Sequence, residues 1–378
     1  MRIIVAHLSR GLWLPCSVLI ASLIVGCLQA PPEALPTLSP TEQPTAPPTA
    51  TLPPPTATAL ALNCPPLDVT DTQWSPDGSR LAITRKADIV IADLRTNTLT
   101  TLVSLPGIEV YGAQWSPDGK KILFMYVKEY LGPAALYVAD AETGEFALLN
   151  SLWGTGYAWS PDSSRIAFSY GGLYVTEVGV TTKRVFSGAV GNPVWSPDGS
   201  QIAFAYDPEG VEAFDMLAVA SANGRNLRTL AESSRTITNI AWSPDGQHIA
   251  FVNNAFEEGV DSSVNVADAD GTGFTELAVD PLTIAELAWS ADGESVLYYS
   301  WQYWFDEKPD LYIYSIGLDG SPPEILLTMQ HDPQEIAFSP DRTRIAYVVW
   351  EREAQNSLYI AGLDGSGVYP LIDGSHCP

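Results

Sequence analysis

The stretch "QWSPDGSRLAI", residues Gln73 to Ile83, decides the fold because it recurs along the chain. The six further copies are "QWSPDGKKILF" from Gln114, "AWSPDSSRIAF" from Ala158, "VWSPDGSQIAF" from Val194, "AWSPDGQHIAF" from Ala241, "AWSADGESVLY" from Ala288 and "AFSPDRTRIAY" from Ala337. Within each copy the proline presets the second turn position, the aspartate bonds to nearby amides and the glycine accepts a positive φ. The motif therefore predicts a tight turn between two strands.

The aromatic residue of each copy recurs roughly every 40 to 50 residues, which is the period of propeller blades. These residues are Trp74, Trp115, Trp159, Trp195, Trp242, Trp289 and Phe338. Each period contains four short apolar strands separated by polar turns. The pattern predicts an all-β fold: a seven-bladed β-propeller of four-stranded antiparallel blades, with the aromatic side chains packed between neighbouring blades.

The repeated motif is predicted to be structural because a sevenfold repeat distributes identical groups around a ring, whereas an enzyme needs one convergent set. Individual residues of the motif are also replaced in some copies, and the repeat remains recognisable. Ser163 replaces the turn glycine of the third copy and Ala291 the proline of the sixth, and the seventh copy carries Phe338 and Arg342. Terminal repeats often diverge in this way.

These copies resemble the TolB-like family of propellers, whose blades carry the same Trp-Ser-Pro-Asp-Gly turn followed by a basic residue and an "IAF"-like strand. The resemblance covers about residues 67 to 373. It implies a propeller that acts as a noncatalytic, extracytoplasmic binding module. Two departures from TolB itself, seven copies instead of six and a stalk in place of the amino-terminal α/β domain, mean that the Tol partners are not carried over.

Residues 1–26 are predicted to be an export signal, since Arg2 and Arg10 precede the apolar run "GLWLPCSVLIASLIVG". The ending "LIVGC" resembles the lipobox of bacterial lipoproteins, which implies that Cys27 is the lipidated residue. The alternative is an uncleaved membrane helix, against which Pro15 and the weak flanking charge argue. We expect an extracytoplasmic protein, lipid-anchored to the bacterial cell membrane or envelope.

Residues 27–63 are predicted to form a disordered stalk that is rich in proline and threonine, because this composition cannot bury enough apolar surface to fold. Proline-rich chain favours an extended geometry of about 3.1 Å per residue, so the stalk could reach up to roughly 100 Å. The remaining residues, 64–378, are assigned to the propeller.

Cys64 and Cys377 bracket the repeats, and the ends of a propeller chain lie where the last blade-to-blade connector would be. A disulfide between them would close the ring in an oxidising compartment. In the chain-entropy model such a long loop contributes up to roughly 4 to 5 kcal/mol. The alternative is two free thiols.

The sequence predicts neither a nucleic-acid partner nor a metal or other cofactor. The formal net charge of -25 repels phosphate backbones. The histidines show no ligand spacing, and there is no Cys-x-x-Cys pair. The segment "DADGTG", Asp268 to Gly273, resembles a calcium loop but lacks the distal glutamate, so a hairpin turn is favoured.

The loops between the second and third strands of the blades vary in sequence and are rich in acidic residues, as expected of a binding face. The sixth loop stands apart for its density of aromatic residues. Its candidate binding residues are Trp301, Tyr303, Trp304, Asp306 and Glu307. Such a group predicts contact with a protein or with sugar rings. The alternative is that alternating side chains extend the strand and pack inward.

The sequence therefore favours a noncatalytic binding or scaffold module, not an enzyme, that engages protein, peptide or glycan through the variable loop face as a monomer. No Gly-x-Ser-x-Gly elbow is found. The alternative function is a secreted propeller hydrolase or lyase that acts on glycans through paired carboxylates on the loop face.

Overall fold

The structure is a computed structural model that describes residues 69–105, 109–127, 134–150, 156–177, 182–208, 214–254, 261–280, 283–301, 311–329, 333–349 and 356–372. These residues form seven antiparallel sheets and no helix. No helix of this described part could cross a membrane. The predicted seven-bladed propeller of four-stranded antiparallel blades is confirmed.

Blades 1 to 3 take up the first twelve strands. Blade 1 contains β1 (Val69–Trp74), β2 (Arg80–Arg85), β3 (Asp88–Asp93) and β4 (Thr98–Ser104). Blade 2 contains β5 (Glu109–Trp115), β6 (Lys121–Val127), β7 (Ala134–Asp140) and β8 (Phe146–Asn150). Blade 3 contains β9 (Tyr157–Trp159), β10 (Arg165–Ser169), β11 (Gly172–Glu177) and β12 (Lys183–Ser187).

In blade 4 the innermost strand is split in two around Pro193, which cannot donate a ladder hydrogen bond. Blade 4 contains β13 (Ala189–Val190), β14 (Val194–Trp195), β15 (Gln201–Asp207), β16 (Met216–Ser221) and β17 (Arg228–Glu232). Blade 5 contains β18 (Thr236–Trp242), β19 (His248–Asn254), β20 (Ser262–Asp268) and β21 (Phe274–Asp280).

Blades 6 and 7 complete the ring. Blade 6 contains β22 (Thr283–Trp289), β23 (Ser295–Trp301), β24 (Leu311–Gly317) and β25 (Glu324–Met329). Blade 7 contains β26 (Pro333–Phe338), β27 (Arg344–Val349), β28 (Ser357–Gly362) and β29 (Tyr369–Ile372). In each blade neighbouring strands pair in chain order, so the first strand is innermost and the last is outermost.

The repeated motif forms the turn between the two inner strands of each blade. In the first copy the Gly78 amide donates to the Ser75 carbonyl at 2.8 Å. The Ser75 hydroxyl donates to Asp77 at 2.6 Å and accepts the Arg80 amide at 2.9 Å. Gly78 has a φ of 66°, which an L side chain adopts at a cost. The serine is buried in this copy. Its hydrogen bonds hold the turn together, and its hydroxyl is not accessible to a ligand.

The hydrophobic core is distributed around the ring as seven clusters, one at each contact between adjacent blades. The motif tryptophans are buried in these contacts, and each indole donates a hydrogen bond to a carbonyl in the innermost strand of the preceding blade. These bonds join Trp74 to Ala337, Trp115 to Gln73, Trp159 to Gln114, Trp195 to Ala158, Trp242 to Val194 and Trp289 to Ala241.

Ring closure between blades 7 and 1 uses the same contacts as the other interfaces. Trp74 donates across the closure to Ala337 at 3.0 Å, and Arg344 donates to the Gly78 carbonyl at 2.9 Å. The Arg344 guanidinium also lies 4.7 Å from the centre of the Trp74 ring. In the described residues no strand is shared between blades 7 and 1, so side chains carry this joint.

Several predicted features fall outside the described residues. They are the signal 1–26, the stalk 27–63, Cys27, Cys64, Cys377, Tyr303, Trp304, Asp306 and Glu307. Strand β23 ends at Trp301, immediately before one of these gaps. The signal, the anchor, the disulfide and the domain boundaries therefore stay predictions.

Candidate functional site

The innermost strands of blades 1 to 6 enclose a cavity of about 990 Å³. Ligand sites in proteins commonly have volumes of a few hundred to about 1,000 Å³. The lining includes carboxylates from Asp71 and Glu286, amides from Gln73 and Gln114, and hydroxyls of threonines in β18 and β22. We take this central channel as the candidate site.

The residue that stands three positions before the motif aromatic lines the channel in six of the seven blades, and in blade 7 the equivalent Glu335 is hydrogen-bonded to the lining residue Asp71. The seven residues are Asp71, Gly112, Gly156, Asn192, Asn239, Glu286 and Glu335. Three carboxyl groups therefore come from the consecutive blades 6, 7 and 1, and the other four positions are neutral. The repeat places the residues at equivalent positions, and their divergence gives the ring an acidic arc.

Irregular strand pairing accompanies the three acidic positions. The register between the two inner strands shifts between Val69 and Asp71, between Ile284 and Glu286, and between Pro333 and Glu335. A bulge breaks strict alternation and re-aims a side chain. The same irregularity spans the neutral positions Gly112 and Asn239, so it is a feature of the innermost strands and not of the acidic arc alone.

Asp71 and Glu335 are joined by a side-chain hydrogen bond across the closure between blades 1 and 7. Burial, together with the negative charges of Asp71 and Glu286, raises the pKa of Glu335 to about 8. Burial also raises the pKa of Asp71, to about 6, although hydrogen bonds from Thr72 and Glu335 act to lower it. Near neutral pH Glu335 thus keeps its proton and donates it to ionised Asp71.

Glu286 is the third carboxyl, and it interacts with the other two through charge. Burial raises its pKa to about 7, with the Asp71 charge acting in the same direction and the Arg342 charge against it. Arg342 belongs to the seventh motif copy, where it stands at the turn-glycine position. The Arg342 charge thus opposes part of the effect of burial on the pKa of Glu286.

Two tyrosines lie next to the acidic arc. Burial and the Asp71 charge raise the pKa of Tyr157 well above its usual range, and burial with the Glu286 and Glu335 charges does the same for Tyr299. The Tyr157 hydroxyl donates to the Gly112 carbonyl. A Cβ at Gly112 would collide with that hydroxyl, and Gly112 has a φ of 61°, so glycine is required there. Both phenols are neutral hydrogen-bonding groups at physiological pH.

The neutral side of the channel is built from amides bonded across blades 5 and 6. The Asn239 side chain donates to the Ala285 carbonyl at 2.9 Å. Asn254, which is buried, donates to the Ile284 carbonyl at 3.1 Å and to the Thr238 hydroxyl at 2.9 Å. These bonds fix the wall where blade 5 meets blade 6, directly next to Glu286.

The described residues contain no group of three histidine, cysteine, aspartate or glutamate side chains arranged to hold a metal ion. In the segment that resembles a calcium loop, the carboxylates serve the turn. Asp270 accepts the Thr272 amide at 2.9 Å, and Asp268 pairs with His248 at 3.0 Å. The predicted hairpin turn is what the structure shows there.

The acidic arc was not predicted from the sequence. Paired carboxylates were expected on the variable loops, because the loops are where the copies disagree most. The sequence does indicate the acidic arc at the position three residues before the motif aromatic. At this position aspartate or glutamate occurs in three of the seven copies. The predicted loop residues Trp301, Tyr303, Trp304, Asp306 and Glu307 are not tested, because their side chains lie outside the described part of the chain.

No family model matches the sequence, and no curated protein matches it. Among solved structures, the chain is similar to an oligogalacturonate lyase from Vibrio parahaemolyticus with 18% identity, covering 77% of this chain and 88% of that chain at a TM-score of 0.59. It is similar to a prolyl endopeptidase with 12% identity, covering 77% of this chain and 47% of that chain at a TM-score of 0.59. TolB from Acinetobacter baumannii matches with 18% identity, covering 79% of this chain and 62% of that chain at a TM-score of 0.45.

These likenesses establish the β-propeller fold. At such identities they do not identify a family, so the TolB-like assignment stays a prediction. They do overturn one prediction. From the fold and the repeats the chain was expected not to be an enzyme, and this inference is wrong because a lyase and a peptidase share this propeller. The physical reason is the ring itself, in which a repeated scaffold brings a few divergent residues from separate blades to one channel.

Proposed function

We propose that this protein is an enzyme that hydrolyses neutral glycans by acid–base catalysis in the channel of its propeller. The observation that carries the proposal is the buried side-chain hydrogen bond between Glu335 and Asp71, of which Asp71 lines a cavity of about 990 Å³. A carboxyl that keeps its proton near neutral pH can act as a general acid.

Glycoside hydrolysis needs a protonated carboxyl and an ionised one. In the proposed reaction Glu335 gives its proton to the glycosidic oxygen, which leaves with the departing sugar. Ionised Glu286 takes a proton from the attacking water, or attacks the sugar itself before water releases it. Asp71 holds the proton of Glu335 until the substrate binds. One water is consumed and one glycosidic bond is broken.

Charge argues for a neutral substrate. The net charge of -25 and the ionised carboxylates of Asp71 and Glu286 repel uronate or phosphate groups. The amides and hydroxyls that line the cavity can bond to sugar hydroxyls. An acidic glycan is therefore disfavoured as substrate, even though one structural relative is named for such a substrate.

The test is turnover by the purified propeller of a panel of neutral and uronic-acid oligosaccharides, followed by the release of reducing ends. Glu335→Gln keeps the hydrogen bond to Asp71 but has no proton to give, so we expect at least a hundredfold lower kcat. The matched control is Glu276→Gln, an exposed residue of β21. Absence of turnover for every neutral glycan, or full activity of Glu335→Gln, would contradict the proposal.

The proposed location is outside the cytoplasm, on a lipid anchor at Cys27 with the stalk giving reach. The support is the sequence pattern described above. Labelling of cells with a fatty-acid analogue should mark the wild-type protein and not Cys27→Ser. Equal labelling of both would refute the anchor.

The variable loops are proposed to make the outer contact with a glycan or protein partner through Trp301, Tyr303, Trp304, Asp306 and Glu307. Aromatic rings beside acidic groups suit both kinds of ligand. Replacing Trp301, Tyr303 and Trp304 together by alanine should weaken partner binding while the melting temperature is kept. Unchanged binding in the folded variant would rule out this contact surface.

A further inference from the structure

The channel has an apolar wall where blades 4 and 5 meet. The residues of this wall are Pro193, Val194, Ala205, Phe214, Ile237 and Ile240. Around the ring, blade 4 is three blades and blade 5 two blades away from blade 7, which carries Glu335. One side of the channel therefore offers carboxyl groups, and another side offers hydrocarbon.

Two asparagines next to the apolar wall are directed to other blades. Asn239 of blade 5 donates to the Ala285 carbonyl of blade 6 at 2.9 Å. Asn192 of blade 4 lies against Gly156 of blade 3, where any Cβ would collide with the Asn192 side chain. Both amides thus lean away from the joint between blades 4 and 5. Apart from the threonines of β18, the lining of this joint is left to apolar groups.

The backbone of the apolar wall is already hydrogen-bonded within the protein. The Gly191 amide donates to the Ala205 carbonyl at 2.8 Å, and the Ile237 amide donates to the Phe214 carbonyl at 2.9 Å. Pro193 has no amide hydrogen to donate. A sugar ring carries hydroxyls that lose free energy when they are buried without partners, whereas a hydrocarbon group needs none. The wall therefore suits a hydrocarbon group better than a sugar.

Phe214 supplies the aromatic ring of the apolar wall. It is half-buried and packs against the core cluster that contains Ala205 and Ile237. Its φ of 41° is unfavourable for a bulky side chain. Backbone strain of this kind is concentrated at ligand-binding positions in proteins. A flat apolar ring of a ligand would find both an aromatic and aliphatic surface here.

We propose that the apolar wall binds the aglycone, the non-sugar group, of an aryl glycoside, so that the substrate is a neutral sugar joined to a flat apolar ring. This inference rests on the proposed function, because it takes Glu335 as the acid. Glu335 gives its proton to the glycosidic oxygen, the bond to the sugar breaks, and an aryl alcohol leaves. Water supplies the new hydroxyl of the sugar, and its proton goes to Glu286.

The test measures the binding of naphthol, a free aglycone, to the purified protein through the fluorescence of naphthol. Phe214→Asn removes the ring but tolerates a positive φ, so the variant should fold and bind naphthol at least about tenfold more weakly. Phe214→Leu keeps an apolar side chain and should stay within about twofold of the wild type. The matched control is Phe274→Asn, the same substitution at an exposed phenylalanine of β21 in blade 5.

A second measurement uses the wild-type protein. In protein labelled at phenylalanine, NMR should show a nuclear Overhauser effect between naphthol and the Phe214 ring, whose signal is identified by its loss in Phe214→Leu. Absence of this contact, absence of naphthol binding, or equal weakening in Phe214→Asn and Phe274→Asn would overturn the inference.

Naphthol binding needs no turnover, so the two proposals fail separately. Binding that depends on Phe214 supports the apolar wall as a ligand site even if no glycoside is cleaved, in which case the proposed function alone fails. Naphthyl and methyl glycosides of the same neutral sugar give the converse comparison. If both are cleaved with equal kcat/KM, the aglycone site is refuted and the proposed function stands.

Discussion

At the scale of single residues, the chemistry of this protein lies in the differences between its repeats. Position three before the motif aromatic is occupied by aspartate, glycine, asparagine or glutamate according to the blade. Only in blades 6, 7 and 1 does a carboxyl stand there, and these blades are neighbours in the closed ring. Three like charges so close favour retention of protons.

The raised pKa values of the acidic arc predict a pH dependence of stability. A carboxyl whose pKa is higher in the folded chain binds its proton more tightly there, so stability is lost as the pH rises through the folded value. For Glu335 the window runs from its ordinary pKa of 4.5 to about 8. We expect the free energy of unfolding to fall over this window.

Urea denaturation at several pH values between 5 and 8 checks this expectation. Glu335→Gln cannot ionise, so its free energy of unfolding should fall less steeply than that of the wild type, and the two curves should diverge towards pH 8. Glu276→Gln serves as the control for loss of one acidic residue. Parallel curves for Glu335→Gln and the wild type would show that Glu335 titrates normally.

The buried motif serine is expected to stabilise its turn. The Ser243 hydroxyl accepts the His248 amide at 2.9 Å and donates to Asp245 at 2.6 Å, and it is 1% exposed. Ser243→Ala leaves the buried amide without a partner, so we expect a loss of about 1 to 2 kcal/mol in urea denaturation. Exposed Ser200→Ala should cost less than about 0.5 kcal/mol. Equal effects of the two changes would argue against the role of the motif serine.

At the scale of elements, an arginine that follows the motif turn contacts the next blade at some of the interfaces. Arg165 donates to the Gly199 carbonyl at 3.0 Å and stacks 4.6 Å from the Trp195 ring centre. Arg344 repeats this contact between blades 7 and 1. Arg80 makes the same contact between blades 1 and 2, with the Gly119 carbonyl at 3.3 Å and the Trp115 ring centre at 4.6 Å, so it occurs twice where the chain continues and once where it does not.

The comparison of Arg344→Ala with Arg165→Ala tests what holds the ring closed. Each change removes a cation–π contact and a hydrogen bond, with an expected cost of about 1 to 2 kcal/mol. Only Arg344→Ala weakens the closure, so amide hydrogen exchange in β1 and β29 should rise in that variant and not in Arg165→Ala. Exchange that rises equally in both variants would mean that the closure is no weaker than the other joints.

At the scale of the whole molecule, the predicted disulfide between Cys64 and Cys377 would add a covalent link to this closure. In the chain-entropy model, reduction should then cost up to roughly 4 to 5 kcal/mol of unfolding free energy. Thiol titration of the unreduced exported protein, followed by denaturation with and without reductant, gives the measurement. Two free thiols, or no effect of reductant, would refute the bridge.

The blades of this molecule could be predicted from the sequence because the same motif repeats along the chain. Seven copies of a turn with a fixed aromatic residue predict strands, turns, blade number and the burial of the tryptophans, since each repeat faces the same local physics. The recurrence of Trp74 and its counterparts also marks where each blade meets the preceding one. The same regularity led to the wrong prediction that the chain is not an enzyme, because identical groups repeated around a ring do not form one convergent set.

The site was decided by the tertiary structure. Asp71 and Glu335 stand at opposite ends of the described chain, and only ring closure brings them into hydrogen-bonding contact. In the sequence Arg342 is only a departure from the motif glycine, whereas in the structure its Nε donates to the Trp289 carbonyl of blade 6. The sequence by itself determined the ring, because strand and turn preferences are local. Which side chains share a proton was settled by tertiary contacts, because burial and charge act between residues distant in the chain.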